Sequence, residues 1–366
     1  MISYEGKNRR TVNYLKAIYF DHPQWTPCHV GIMPATWMRY RERLEEVVLA
    51  HPKVFPDYRR GGKDYDANPN PFYLLGRTTD CWGNVWENVE AGLAGQVVGH
   101  PLADWSAMET WRPPEPEIDD RVGLRDWDSV ARELTDAKRH GDVAMGSPLP
   151  HGFFYMLLYY LRGFENLMVD FAMGDPRLND LIAILDHYNV TVIRKAMDLG
   201  AEMIGLGEDL GLQRSLPISP PMWRRWIKPS YERMIGPCRD RGVPVRFHTD
   251  GHVLEIIGDL IEVGVTVLNP QIGANGLEGL RAEAKGKVAL DQDLDRQLFP
   301  FATPSQIEEH IGEVFEGLYD PAGGLILYAE WEPDIPLANA DAVCTALERL
   351  CNLPDPADVD APAAAG

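Results

Sequence analysis

The chain has 366 residues, 45 % of them hydrophobic, enough to bury a large core in one α/β domain or two smaller ones. Lys plus Arg number 35 against 55 Asp plus Glu, and the formal charge of -20 repels nucleic acid and anionic membranes, so neither is an expected partner. No run of about 18 apolar residues could cross a bilayer, and the first residues lack the apolar core of a signal peptide, so a cytoplasmic protein is expected.

In chain order, the first candidate strand is 29–32. Residues 51–126 read differently, rich in Pro, Gly, Trp and Asn with weak periodicity, and predict an irregular insertion at the mouth of the main domain; Pro113-Pro114-Glu115-Pro116-Glu117 is a stiff connector within it. Further strands are predicted at 143–145, 203–206, 243–247, 265–268, 288–290 and 325–328, as short apolar runs bounded by turn residues. A helix is predicted over 179–199, where Leu181, Ile184, Leu185, Tyr188, Val192 and Ala196 recur at helical spacing between Asp175-Pro176 and Gly200. Another, over 253–263, ends at Gly264 and leads at once into a strand. Strands and helices alternating every 20 to 40 residues or so predict a parallel sheet with right-handed crossovers. About eight such units predict a (β/α)8 TIM-like barrel, a single domain over 1–353, with a disordered tail over 354–366.

Polar side chains collect where these strands end. Asp80 stands beside Trp82 and Trp86, indoles that could wall a partly desolvated carboxylate or simply fill a core. Glu208 and Asp209 follow the 203–206 strand; adjacent residues point to opposite faces, which assigns Asp209 to the pocket and Glu208 to a neighbouring loop. His248 and Asp250 share one face of the 243–247 strand's exit, before Gly251, and suit either a metal or a helix cap. Asp291, Gln292 and Asp293 end the 288–290 strand, and Glu330 and Glu332 the last one. In a barrel these ends share one face, and capping does not explain their recurrence there. Gly205, Gly207 and Gly211 do not make a dinucleotide fingerprint. The five cysteines, Cys28, Cys81, Cys238, Cys344 and Cys351, show no metal-knuckle spacing and no disulfide framework.

Taken together, the motifs Gly207-Glu208-Asp209-Leu210-Gly211, Leu216-Pro217-Ile218-Ser219-Pro220, Phe247-His248-Thr249-Asp250-Gly251, Gly264 to Pro270, Leu290-Asp291-Gln292 and Pro333 to Asn339 resemble the uroporphyrinogen decarboxylase superfamily over about residues 10–352. That superfamily includes cobalamin-linked methyltransferases, and the resemblance implies a TIM-like barrel. The decarboxylase pattern places its catalytic Asp at Asp80 and its pocket Tyr at Tyr159, but its arginine-rich N-terminal segment is replaced by a stretch holding only Arg39, and its C-terminal His falls at Ala329. The methyltransferase pattern binds zinc through a His-x-Cys pair and a later Cys; here His248 is kept, Asp250 takes the first Cys slot and Ala329 the last, with Glu330 or Glu332 near enough in sequence to substitute.

The leading expectation is a methyltransferase-like enzyme moving a methyl group between a small, aromatic or otherwise apolar methylated compound and a corrinoid or tetrahydrofolate carrier, with a homodimer and a corrinoid protein among the assemblies left open. A divalent metal, zinc first, is assigned to His248, Asp250 and Glu330. Catalytic roles fall to Asp80, Asp209, Asp291 and Tyr159, and substrate contacts to Trp82, Trp86, Glu208 and Gln292. The alternatives are a decarboxylase of an aromatic or pyrrolic acid using Asp80, and a non-catalytic ligand-binding barrel.

Overall fold

A computed structural model of the protein describes residues 1–67, 70–121 and 123–359. Among them lie twelve strands: β1 (Cys28–Ile32), β2 (Gly76–Thr79), β3 (Val85–Asn88), β4 (Gln96–Gly99), β5 (Asp119–Asp120), β6 (Gly123–Leu124), β7 (Met145–Gly146), β8 (Met203–Gly207), β9 (Val245–Thr249), β10 (Val267–Pro270), β11 (Ala289–Asp293) and β12 (Leu325–Trp331). All seven strands expected from sequence are present, as β1 and β7 to β12, alternating with helices in the TIM-like α/β order. β9 begins two residues later than expected. Pro244 has no N–H to give the ladder, although its carbonyl accepts from Ile204 N at 3.0 Å.

The described residues pack into two compact units, one of residues 1–2, 70–121, 123–139 and 143–265, the other of 3–67, 140–142 and 266–359. In the first, β8 pairs in parallel with β7 on one side and β9 on the other. The helix Arg177–Asp198 buries Leu181, Leu185, Tyr188, Val192 and Ala196 along one face, and Gly200 follows its end at a φ of +100° that only glycine adopts freely. Val245, Phe247 and Thr249 of β9 are buried, and Phe247 packs edge-on against Phe153 and Tyr231. Alternation then turns Arg246 and His248 to the opposite, half-buried face.

The covering segment is more regular than its composition suggests. β2, β3 and β4 form an antiparallel sheet, and β5 with β6 a hairpin. Its ordering comes from aromatic packing: Trp86 lies 4.7 Å from Phe72 and Trp82 4.8 Å from Tyr188, ring centre to ring centre.

In the second unit the parallel order is β1, β12, β11, β10. The helix Pro304–Leu318 starts on a capping box in which Thr303 and Gln306 satisfy each other's backbone N–H. The expected disordered tail begins with a short helix, Pro356–Val359, and from residue 360 lies outside the described residues. Among the described residues no helix is long and apolar enough to cross a membrane.

Candidate functional site

The site in the first unit is built where β8 and β9 end. Beyond the ladder, Glu208 N donates to His248 O at 3.0 Å and Gly211 N to Asp250 O at 3.1 Å, so the two exits run together. They touch at two glycines. A Cβ on Gly251 would lie 2.3 Å from the carbonyl carbon of Gly211, and one on Gly211 2.3 Å from His252 N. Gly251 also holds a φ of +83°. No larger residue fits either position without moving the other strand's exit.

Three side chains converge at this junction. Nε2 of His151 is 3.0 Å from Oδ1 of Asp209, and the rings of His151 and His248 lie 5.6 Å apart. One ligand atom from each of His151, Asp209 and His248 falls within 4.8 Å of the others. His248 Nε2 also approaches Asp250 Oδ1 at 3.3 Å, so Asp250 stands beside the imidazole as an outer partner. Two imidazole nitrogens and one carboxylate oxygen, with an open side at the half-exposed His151, fit a zinc-like divalent ion. They do not fit the thiolate-rich centre of the methyltransferase pattern, because no cysteine contributes.

The residues behind the cluster fix it. Glu208 is fully buried and accepts from the backbone N–H of Phe154 and Tyr155 at 2.6 Å, of Met156 at 3.3 Å, and from the Tyr231 hydroxyl at 3.2 Å. It thereby caps the helix Tyr155–Arg162 that follows His151. Burial pushes its carboxyl up to about 8, against the opposing pull of those donors. On the same helix, the Tyr159 and Tyr160 rings pack edge-on with centres 4.8 Å apart, and burial first, then Tyr160 and Asp209, hold the Tyr159 phenol well above its ordinary value. Burial likewise raises Tyr160 to about 12 while Arg121 pulls the other way.

The other expected site residues have contacts of their own. Asp80 is buried with both oxygens engaged, accepting from Trp82 N, Asn84 N, Asn84 Nδ2 and Trp86 Nε1 at 2.9 to 3.0 Å. Trp82 and Trp86 are 2 % and 6 % exposed, Trp82 packed on Tyr188 and Trp86 on Phe72 and Tyr160. In the second unit, Asp291 pairs with His29 at 2.8 Å, and Gln292 donates to the carbonyls of Pro270 and Asp293. Glu330 is also there, ion-paired to Arg296 and accepting from the Tyr328 hydroxyl at 2.5 Å. The structure thus brings His248 and Asp250 together and joins them with Asp209, whereas Glu330 belongs to another network. His151 is the residue that sequence reasoning missed; its signal was Pro148-Leu149-Pro150-His151-Gly152, a polar turn directly after the 143–145 strand.

Comparison with known proteins adds a frame for this geometry. The family model for uroporphyrinogen decarboxylase (URO-D) matches residues 127–350. Among solved structures, a methyltransferase from Methanosarcina mazei is similar in fold, with 15 % identity and a TM-score of 0.58 over 94 % of this chain and 99 % of that one. A dihydropteroate synthase from Stenotrophomonas maltophilia aligns over only 46 % of this chain and 64 % of its own, with 15 % identity and a TM-score of 0.31, too low to carry an argument. No curated protein matches the chain.

Proposed function

The chain belongs to the uroporphyrinogen decarboxylase (URO-D) family, and from that premise we propose that it is a metal-assisted, methyltransferase-like enzyme of the cytoplasm. The observation that carries the reading is the convergence of His151, Asp209 and His248 at the exits of two adjacent strands. These three residues hold the divalent ion, which when bound supplies Lewis-acid polarisation of the heteroatom that releases or accepts the methyl group. Zinc is the first candidate because the donors are two nitrogens and one oxygen.

The chain's own residues do the remaining work. Asp250 beside His248 orients the imidazole and raises its basicity as a ligand. The Tyr159 phenol, held protonated by burial and the charge of Asp209, gives a donor for the heteroatom at which a lone pair is left when the carbon–heteroatom bond breaks. Glu208 does not meet substrate; it holds the start of the tyrosine-bearing helix. The methyl donor is a small methylated compound and the acceptor a corrinoid or folate, the former delivered on a partner protein. Asp80, with four donors on its two oxygens, is a poor candidate for the ring cation that the decarboxylase reading requires.

The test is methyl transfer from a panel of methoxylated and N-methylated compounds to reduced cobalamin or tetrahydrofolate, followed by visible absorbance and mass. Transfer that depends on added zinc and disappears in His248→Ala supports the reading. Release of carbon dioxide from an aromatic acid, with no transfer from any compound in the panel, would overturn it.

A further inference from the structure

We propose that Arg121 is a positioning residue for this centre, setting His151 by chelating the backbone of the loop that carries it. The inference rests on the metal reading above. Arg121 sits in the turn between β5 and β6, is 5 % exposed, and donates from Nη1 to His151 O at 2.6 Å and from Nη2 to Gly152 O at 2.5 Å. A planar guanidinium can span two consecutive carbonyls; a lysine ammonium cannot hold both in that geometry.

The fork is itself held. Its carbon lies 5.7 Å from the Trp86 ring centre and 5.3 Å from that of Tyr160, against one side of a ring pair whose centres are 5.1 Å apart. Trp86 is fixed by its indole bond to Asp80 at 2.9 Å, so the buried acid of the covering segment acts on the site through Trp86 and then Arg121. On the far side of the loop, Gly152 N donates to Gly207 O at 2.8 Å, and Gly152 holds a φ of +72°. Arg125, four residues on, donates to Pro148 O at 2.7 Å. Arg121 in the hairpin turn and Arg125 just after the hairpin therefore grip the loop on either side of its Leu149-Pro150 step.

Burying a guanidinium against neutral carbonyls, with its Nε left without an acceptor, is costly for a purely structural tie. The expense is understandable if the position of His151 matters. Its side chain is 46 % exposed and so gets little support from packing of its own.

The experiment titrates Co2+ into the full-length protein and reads affinity and the visible d–d spectrum for wild type, Arg121→Lys, His151→Ala and the double variant, with thermal melting of each metal-free protein. We expect Arg121→Lys to weaken Co2+ binding by about tenfold or more and to shift the spectrum. In the His151→Ala background the same change should alter affinity less than about twofold, because Arg121 acts only through His151. Should Arg121→Lys melt below the titration temperature, Trp86→Phe, which keeps a ring under the guanidinium but loses the bond to Asp80, is expected to show a smaller shift of the same kind. Unchanged affinity and spectrum in a folded variant, or equal losses in both backgrounds, would overturn the role of Arg121 and leave the metal centre standing. Wild-type Co2+ binding that ignores His151→Ala would instead overturn the centre.

Discussion

His151 and Asp209, 58 residues apart in the chain and carried by the loops after two neighbouring strands, meet with Nε2 and Oδ1 at 3.0 Å. Nothing in either residue's local sequence announces the partner. The meeting follows from the parallel pairing of β7 with β8, which puts both loops at the same end of the sheet. If these are direct ligands, His151→Ala and Asp209→Asn should each weaken Zn2+ binding beyond the 10–100-fold or so that an outer-shell change costs. Asp250→Asn should fall within that range. Isothermal titration of the three variants separates the two classes.

Glu208 is predicted to matter for stability. Removing a fully buried carboxyl group that satisfies three backbone donors and a tyrosine should cost about 2–4 kcal/mol in Glu208→Ala. Glu208→Gln keeps one acceptor oxygen and should cost less. Urea unfolding with an unchanged m-value is the measurement.

The glycine contact offers a controlled comparison. Gly251→Ala forces a Cβ into the backbone of Gly211 and should destabilise by more than about 2 kcal/mol, with metal binding lost alongside. Gly61→Ala has a similar φ, +72°, but open space around it, and should cost only about 1 kcal/mol. Thermal melting of both variants shows whether collision or backbone conformation dominates.

A pH dependence is expected at Asp259. Burial alone would raise its carboxyl, but the hydrogen bonds of Arg224 and Lys228, at 2.9 to 3.1 Å, outweigh this and hold it below its ordinary value. A depressed acid adds stability above its unfolded value, roughly 3.9, and that contribution is lost as pH falls through the folded value. Asp259→Asn should therefore be less stable than wild type at neutral pH by about 1–2 kcal/mol. The gap should close below about pH 4. A gap that stays constant down to pH 3 or so would remove the ion pairs as its cause.

The strands were legible because each is a short apolar run between turn residues, and all seven appear within a few residues of where those runs lie. Period-two alternation likewise separated Asp209 from the buried Glu208 and put His248 and Asp250 on one face. What could not be read was which strand-end side chains meet. Glu330 was attractive because it stands next to the missing cysteine slot at Ala329, but Arg296 and Tyr328 engage it, and no periodicity reveals an ion pair across 34 residues. The segment over 51–126 was harder to read for a related reason. Its tryptophans are buried, Trp82 against Tyr188 and Trp86 against Tyr160 and Phe72, while Arg121, in a turn with no periodic pattern around it, reaches the carbonyl of His151.

The most direct test is metal content of the purified protein and its variants, by mass spectrometry after dialysis against zinc. Wild type should hold one divalent ion per chain, His151→Ala and His248→Ala should lose it while staying folded, and Glu330→Ala should keep it. Occupancy unaffected by His151→Ala but abolished by Glu330→Ala would contradict the assignment of the centre to His151, Asp209 and His248.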